Sequence, residues 1–222
     1  MSAAPPLRLV VLISGRGSNM TAIARACRAG EIHAQIARVI ADRADAAGLA
    51  SAAGLGTATA AVPHSRGEAA GDFEARLADA IDAARPDLIA LAGFMRILSA
   101  GFVARYLGRM LNVHPSLLPA YRGLHTHRRV LAAAARAHGA SVHYVTPELD
   151  AGPVVLQSRV PVRAGDTEAA LAARVLRTEH VIYPRVIGWV AAGRLRWHDG
   201  AAWLDGARLD QPIVEEFSAA DT

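Results

Sequence analysis

Asn112 and His114 stand two residues apart in Arg109-Met110-Leu111-Asn112-Val113-His114-Pro115-Ser116-Leu117-Leu118-Pro119. In an extended chain, side chains at i and i+2 share a face. That face carries an amide donor beside an imidazole at a strand end, where open α/β folds place their chemistry; a surface or hydrogen-bonded core histidine is the alternative reading. A carboxylate follows downstream, Asp150, in Pro147-Glu148-Leu149-Asp150-Ala151-Gly152-Pro153. Held in so tight a turn, it either caps the turn or orients His114 and relays protons. Near the start, Ser14-Gly15-Arg16-Gly17-Ser18-Asn19 separates an apolar run from a helical pattern. Backbone N–H groups at such a helix start favour an anion, and Ser18 and Asn19 can cap the helix and add donors. Met20 stands where the dinucleotide fingerprint wants its third glycine, and no Gly-Lys-Ser/Thr follows. The loop therefore reads as a cradle for a simple phosphate or as an ordinary tight turn. His125 and His127 are close in sequence but lack a thiolate or carboxylate at ligand spacing, so no metal is assigned.

These groups need elements to hold them. Leu7 to Ile13 is an apolar run rich in Val and Leu, and a helix follows the glycine loop through about Ala29. Strands are expected at Ile36 to Ala41, ending at Asp42, at Thr57 to Val62 and at Asp87 to Ala92, with helices at Asp45 to Ala53 and Asp72 to Ala84. Continuous apolar strands alternating with helices argue a doubly wound, mostly parallel central sheet with flanking helices, an α/β fold. Such folds place their chemistry at strand ends. Gly93 to Leu98 follows the buried strand before a helix starting near Ser99. It either walls a flat aromatic-ligand pocket or packs under the sheet. Further on, a helix is expected over Val130 to Arg136, an alternating strand over Ala140 to Thr146 carrying His143, a strand over Pro153 to Val162, and a long helix over Asp166 to about Ala192. Arg194 to His198 and Ala201 to Leu204 flank Asp199-Gly200 as a hairpin.

At 222 residues and 52% hydrophobic content, the chain has ample material for one core. We read it as one domain over 1–222, with a phosphate-binding half over 1–106, a catalytic half over 107–206 and a loose tail over 207–222. The first six residues read as a short loose tail, not a signal peptide, and no apolar run reaches the length of a membrane span. These features point to a cytoplasmic protein. Cys27 stands alone, so no disulfide forms within the chain, and a small apolar role inside its helix is expected. The net charge is +4 and every basic residue is arginine, but the charges are scattered, which speaks against nucleic-acid binding.

Taken in order, the motifs resemble the folate-dependent formyltransferases. They are Ser14 to Asn19, Ala92 to Leu98, Leu111 to Pro119, Gly123 to His127, Ser141 to Val145, Glu148 to Val154 and Glu179 to Pro184, and the resemblance spans roughly residues 8 to 206. The Gly-x-Gly-Ser-Asn loop narrows it to the branch that acts on glycinamide ribonucleotide in purine biosynthesis. The resemblance implies a formyltransferase-like Rossmann-type fold. It also implies direct attack of that substrate's amine on the formyl carbon of 10-formyltetrahydrofolate, through a tetrahedral oxyanion. Asn112, His114 and Asp150 would be catalytic. Gly17, Ser18, Asn19, Leu176, Arg177, Thr178 and Glu179 would hold the ribonucleotide and its phosphate. Met95, Arg96, Ile97, Leu98, Asn112, Thr146, Pro147, Glu148, Leu149 and Asp150 would surround the folate. The implied partners are these two small molecules, with no metal, nucleic acid or membrane; a homodimer is left open.

Two departures from the family pattern stand out. Ala70 occupies the place of an arginine that faces the folate tail, with Arg66 a few residues earlier. Arg122 replaces the usual proline of Tyr-Pro-Gly and offers a new anion contact. A formyltetrahydrofolate hydrolase or another formyltransferase is the rival reading. The hydrolase would bring an N-terminal regulatory domain and the tRNA enzyme a C-terminal barrel, and neither is expected here.

Overall fold

The computed structural model describes residues 5–218. Its first half alternates β1 (Leu7–Ile13), α1 (Ser18–Arg28), β2 (Ala34–Ala41), α2 (Ala47–Gly54), β3 (Thr59–Ala61), α3 (Ala70–Asp82), β4 (Leu88–Leu91) and α4 (Ala100–Arg105). The second half runs β5 (Met110–His114), α5 (Thr126–Ala132), β6 (Ala137–Tyr144), β7 (Val154–Pro161), α6 (Glu168–Ala191), β8 (Leu195–His198), β9 (Ala201–Leu204), β10 (Ala207–Arg208) and β11 (Ile213–Glu216).

One sheet of eight strands has the order β11-β7-β6-β5-β4-β1-β2-β3. Only β6 runs against its neighbours β5 and β7; the other neighbouring strands are parallel. The mostly parallel sheet expected from the sequence is therefore present. Its central strands are apolar on both faces because both faces are covered. In β1, Leu9, Val11 and Ile13 pack into the core under α1 and α6, while Val10 and Leu12 pack into a second core with α3 and α4. That alternation is the period of two expected of a strand.

The chain passes from β3 back across β1 to β4, so β1 and β4 lie side by side with their connections leaving in opposite directions. A crevice opens at the carboxyl ends of such strands. The glycine loop after β1 and the Gly93 loop after β4 both enter it, and the Ser14 N–H bonds to the Gly93 carbonyl at 3.1 Å. Tyr183, on α6, donates toward the carbonyls of Leu91 (3.1 Å) and Leu111 (3.0 Å), tying the long helix to the ends of β4 and β5.

Three expectations need correction. The helix expected over Val130 to Arg136 lies at Thr126–Ala132, because Ala134 takes a positive φ of 47° and breaks the alanine run. The strand expected over Ala140 to Thr146 starts at Ala137 and is buried on both faces, so it does not alternate. The segment from Ala207 to Ser218 is not loose: β10 extends the small hairpin sheet, and β11 pairs in parallel with β7 to form an edge of the main sheet. The rest of the expected tail, and the first four residues, lie outside the described residues.

Candidate active site

β5 delivers Asn112 and His114 to the crevice from one face, and the antiparallel β6 sets His143 directly opposite Asn112. His143 Nδ1 donates to the Tyr144 carbonyl at 2.9 Å. Burial pushes this imidazole down to about 4, so it stays neutral and its Nε2 keeps a lone pair. Asn112 Nδ2 donates to that lone pair at 3.2 Å. The contact fixes which way the Asn112 amide points and leaves its second N–H free to donate elsewhere.

His114 is 6% exposed. Its Nε2 donates to the Tyr121 carbonyl at 3.1 Å, and its Nδ1 faces Asp150 Oδ2 at 3.4 Å. Both ring nitrogens thus face acceptors. Asp150 sits at a positive φ of 49° and accepts the Gly123 N–H at 2.9 Å. Gly152 lets the turn press against β6, since a Cβ there would lie 1.9 Å from the Tyr144 carbonyl oxygen. Asn112, His114 and Asp150, chosen from the sequence, therefore meet in space.

Asn112 and Asp150 line one cavity, Val113 and Pro115 on either side of His114 line a second, and His114 itself lines neither. The first is lined by Arg96, Ile97, Leu98, Asn112, Thr146, Pro147, Leu149 and Asp150, all expected at a folate site. Leu91, Phe94, Val103, His143 and Val145 complete its wall. None of these five was named as a folate residue: Leu91 and Val103 lie in runs that signalled a strand and a helix, whereas Phe94 belongs to the loop offered as a pocket wall and His143 and Val145 to a motif of the family resemblance. Met95 and Glu148 depart from expectation. Met95 belongs to the second cavity, where its N–H donates to Ser14 Oγ at 2.8 Å. Glu148 turns to solvent and pairs with Arg122 at 2.8 Å. Arg122 is thus engaged by an internal carboxylate, and Arg66 is exposed and lines neither cavity.

The second cavity joins the glycine loop to α6. Gly17, Ser18, Asn19, Leu176 and Glu179 line it, as expected, together with Ser14, Asp42, Arg43, Met95 and Arg96. Leu176 and Glu179 share a helix face at spacing i, i+3. Arg177 and Thr178, between them, do not line it. Arg177 faces solvent, and Thr178 is buried, donating to the Val175 carbonyl. Asn19 does not cap α1. The cap position is Gly17, at a φ of 70° where a Cβ would meet the Gly48 Cα at 3.0 Å, and no side chain caps the helix. The bare first turn leaves backbone N–H groups for an anion. Asn19 Nδ2 instead donates to Glu179 Oε2 at 2.6 Å. Burial pushes the Glu179 carboxyl up, partly opposed by this hydrogen bond.

Among the described residues, no group of three His, Cys, Asp or Glu side chains is arranged to hold a metal ion, and no helix is long and apolar enough to cross a membrane. His127 instead pairs with the buried His138 at 3.0 Å, and burial pushes His138 down to about 4. His138 and His143 stay neutral in the fold but take up protons near the ordinary histidine value of about 6.5 when unfolded. Their contribution to stability is whole above that value and is lost as pH falls from there toward 4, by at most about 1.4 kcal/mol per pH unit for each. Urea midpoints should therefore drop between pH 6.5 and pH 5. A level midpoint over that range contradicts the neutral assignment.

The fold, the paired cavities and the Asn-His-Asp group define a class, and comparison with known proteins agrees. The formyl transferase family model matches residues 7–187, and the chain belongs to that family. It is 52% identical to the phosphoribosylglycinamide formyltransferase of Escherichia coli over 203 residues, covering 91% of this chain and 96% of that one. It is 42% identical to the Haemophilus influenzae protein of the same name, covering 91% and 95%. The solved structure of phosphoribosylglycinamide formyltransferase from Coxiella burnetii superimposes with a TM-score of 0.89 at 48% identity, covering 94% of this chain and 99% of that one.

Proposed function

We propose that this enzyme transfers the formyl group of 10-formyltetrahydrofolate to the amine of glycinamide ribonucleotide, giving N-formylglycinamide ribonucleotide and tetrahydrofolate in de novo purine biosynthesis. The observation that carries the reading is the meeting of Asn112, His114 and Asp150 at an apolar-walled cavity that Asn112 and Asp150 line, beside a glycine-loop cavity lined by the neighbouring Val113 and Pro115. The first suits a flat pterin, walled by Leu91, Phe94, Leu98 and Val145. The second suits a phosphorylated amine: the N–H groups of Gly17, Ser18 and Asn19 take the phosphate, and Glu179 accepts from ribose or glycinamide donors. Arg177 and Thr178 have no direct part.

The reaction needs a proton moved from the attacking amine to N10 of the folate and a negative oxygen steadied between. The free N–H of Asn112 and the positive charge of protonated His114 steady the oxyanion. Asp150 takes the amine proton, directly or through water, and His114 gives its own to N10 by exchanging one of its two protein acceptors, the Tyr121 carbonyl or Asp150, for the folate nitrogen or a bridging water. Asp150 and His114 then exchange a proton and the site is reset. No covalent protein intermediate and no metal is required. The enzyme is set in the cytoplasm with its two small substrates.

Appearance of tetrahydrofolate, followed by absorbance, tests this reading. Turnover that needs the ribonucleotide supports it, and equal turnover without the ribonucleotide makes the protein a hydrolase. Activity should also survive prolonged chelation and dialysis within about 2-fold, because every step uses side chains alone. Activity lost to the chelator and restored by a metal ion contradicts that.

A further inference from the structure

The strip from Tyr121 to Leu124 touches both ionisable members of the Asn-His-Asp group through its backbone. The Tyr121 carbonyl accepts from His114 Nε2 at 3.1 Å, and the Gly123 N–H donates to Asp150 Oδ2 at 2.9 Å. Nothing in the strip's own covalent structure fixes this path. Residue 122 is arginine rather than proline, Gly123 takes a φ of 78°, and Tyr121 takes a φ of 57° that side chains disfavour. The strip therefore needs holding from outside. Arg129, midway along α5, reaches back over it. Its Nη1 donates to the Arg122 carbonyl at 2.6 Å and lies 3.5 Å from the Leu124 carbonyl. Its guanidinium carbon sits 5.5 Å from the centre of the Tyr121 ring. A planar guanidinium can lie over a ring and donate in its own plane at once, which an ammonium cannot. On the other side, the Arg122 side chain pairs with Glu148 at 2.8 Å, in the turn that carries Asp150. Arg129 is exposed and lines neither cavity, so it fills no core and meets no ligand there.

We propose that Arg129 is a positioning residue for the reaction: by clasping the strip from Tyr121 to Leu124, it holds the Tyr121 carbonyl against His114 and the Gly123 N–H against Asp150. The inference rests on the formyl-transfer reading, which gives His114 and Asp150 their work. The effect of Arg129 passes through those two backbone groups alone. Without the clasp, Tyr121 is free to leave its disfavoured φ, and the imidazole and the carboxylate each lose a fixed neighbour. Reacting groups that are slightly misplaced cost rate rather than binding.

Steady-state kinetics and amide hydrogen exchange on the full chain test it together. Arg129→Ala should lower kcat roughly 10-fold while each KM stays within about 2-fold, as for a misplaced reacting group. Arg129→Lys, which keeps the charge and a donor but loses the planar fork, should fall between parent and Arg129→Ala. In Arg129→Ala the Gly123 amide should exchange at least roughly 10-fold faster, with the amides of β5 and β6 unchanged. Parent-like kcat in Arg129→Ala overturns the inference, and so does a lower kcat with Gly123 exchange unchanged. Exchange that quickens in β5 and β6 as much as at Gly123 also overturns it, because it marks a general distortion. If the parent protein shows no turnover that needs the ribonucleotide, the formyl-transfer reading itself falls and takes this inference with it.

Discussion

His114→Ala lowers kcat by roughly 10³-fold, within the range of a lost general acid, while the KM of each substrate changes little. The expectation rests on the position of the ring. It is buried at the end of β5, its Nε2 spent on the Tyr121 carbonyl and its Nδ1 facing Asp150 at 3.4 Å. In the proposed mechanism the ring serves through its charge and its proton, and a group that acts on the transition state shows its loss in kcat. Steady-state kinetics with the purified variant, with tetrahydrofolate binding measured in parallel, separates the two effects. Lost turnover with intact binding supports the role. Turnover within a few-fold of the parent makes His114 a structural residue that ties the loop at Tyr121 to the strand.

Asn112→Ala should lower kcat by on the order of 100-fold, as for other oxyanion donors. The amide is oriented before any substrate arrives, because neutral His143 accepts one of its N–H bonds at 3.2 Å and the other remains free. A donor already aimed needs no reorganisation when the negative oxygen forms, so its removal raises the barrier more than it weakens binding. Alanine also strands the His143 lone pair in a buried place, so some loss of stability accompanies the kinetic effect. Measuring kcat and the unfolding midpoint together keeps the two apart. A variant that folds and turns over like the parent removes Asn112 from the mechanism.

The parallel half of the fold was legible because its strands are continuous apolar runs between glycine loops and helices; β1 has the bounds its apolar run suggested. The second half was harder. The alanine-rich stretch before β6 has no punctuation of its own, so the helix was placed four residues too late. β11 carries the half-buried Glu215 and the exposed Glu216 beside Ile213 and Val214, a pattern that reads as tail until β7 offers it an edge. At the site, residue types were readable but their facing was not. Arg177 and Thr178 sit between two residues that line the cavity, and only helix phase turns them away. Asn19 looked like a cap because caps are its usual work; Glu179, 160 positions away, claims its amide instead. Contacts between distant segments of this kind leave no local trace in composition or spacing.

In the proposed mechanism the formyl group passes straight from folate to amine, with the protein supplying only charge and protons. Rapid quenching of the holoprotein with formyl-labelled 10-formyltetrahydrofolate and glycinamide ribonucleotide tests this within the first turnover. Label should leave the folate and appear in the ribonucleotide at one and the same rate, with none held by the protein. Label bound to the protein before product forms, or released as free formate, contradicts it.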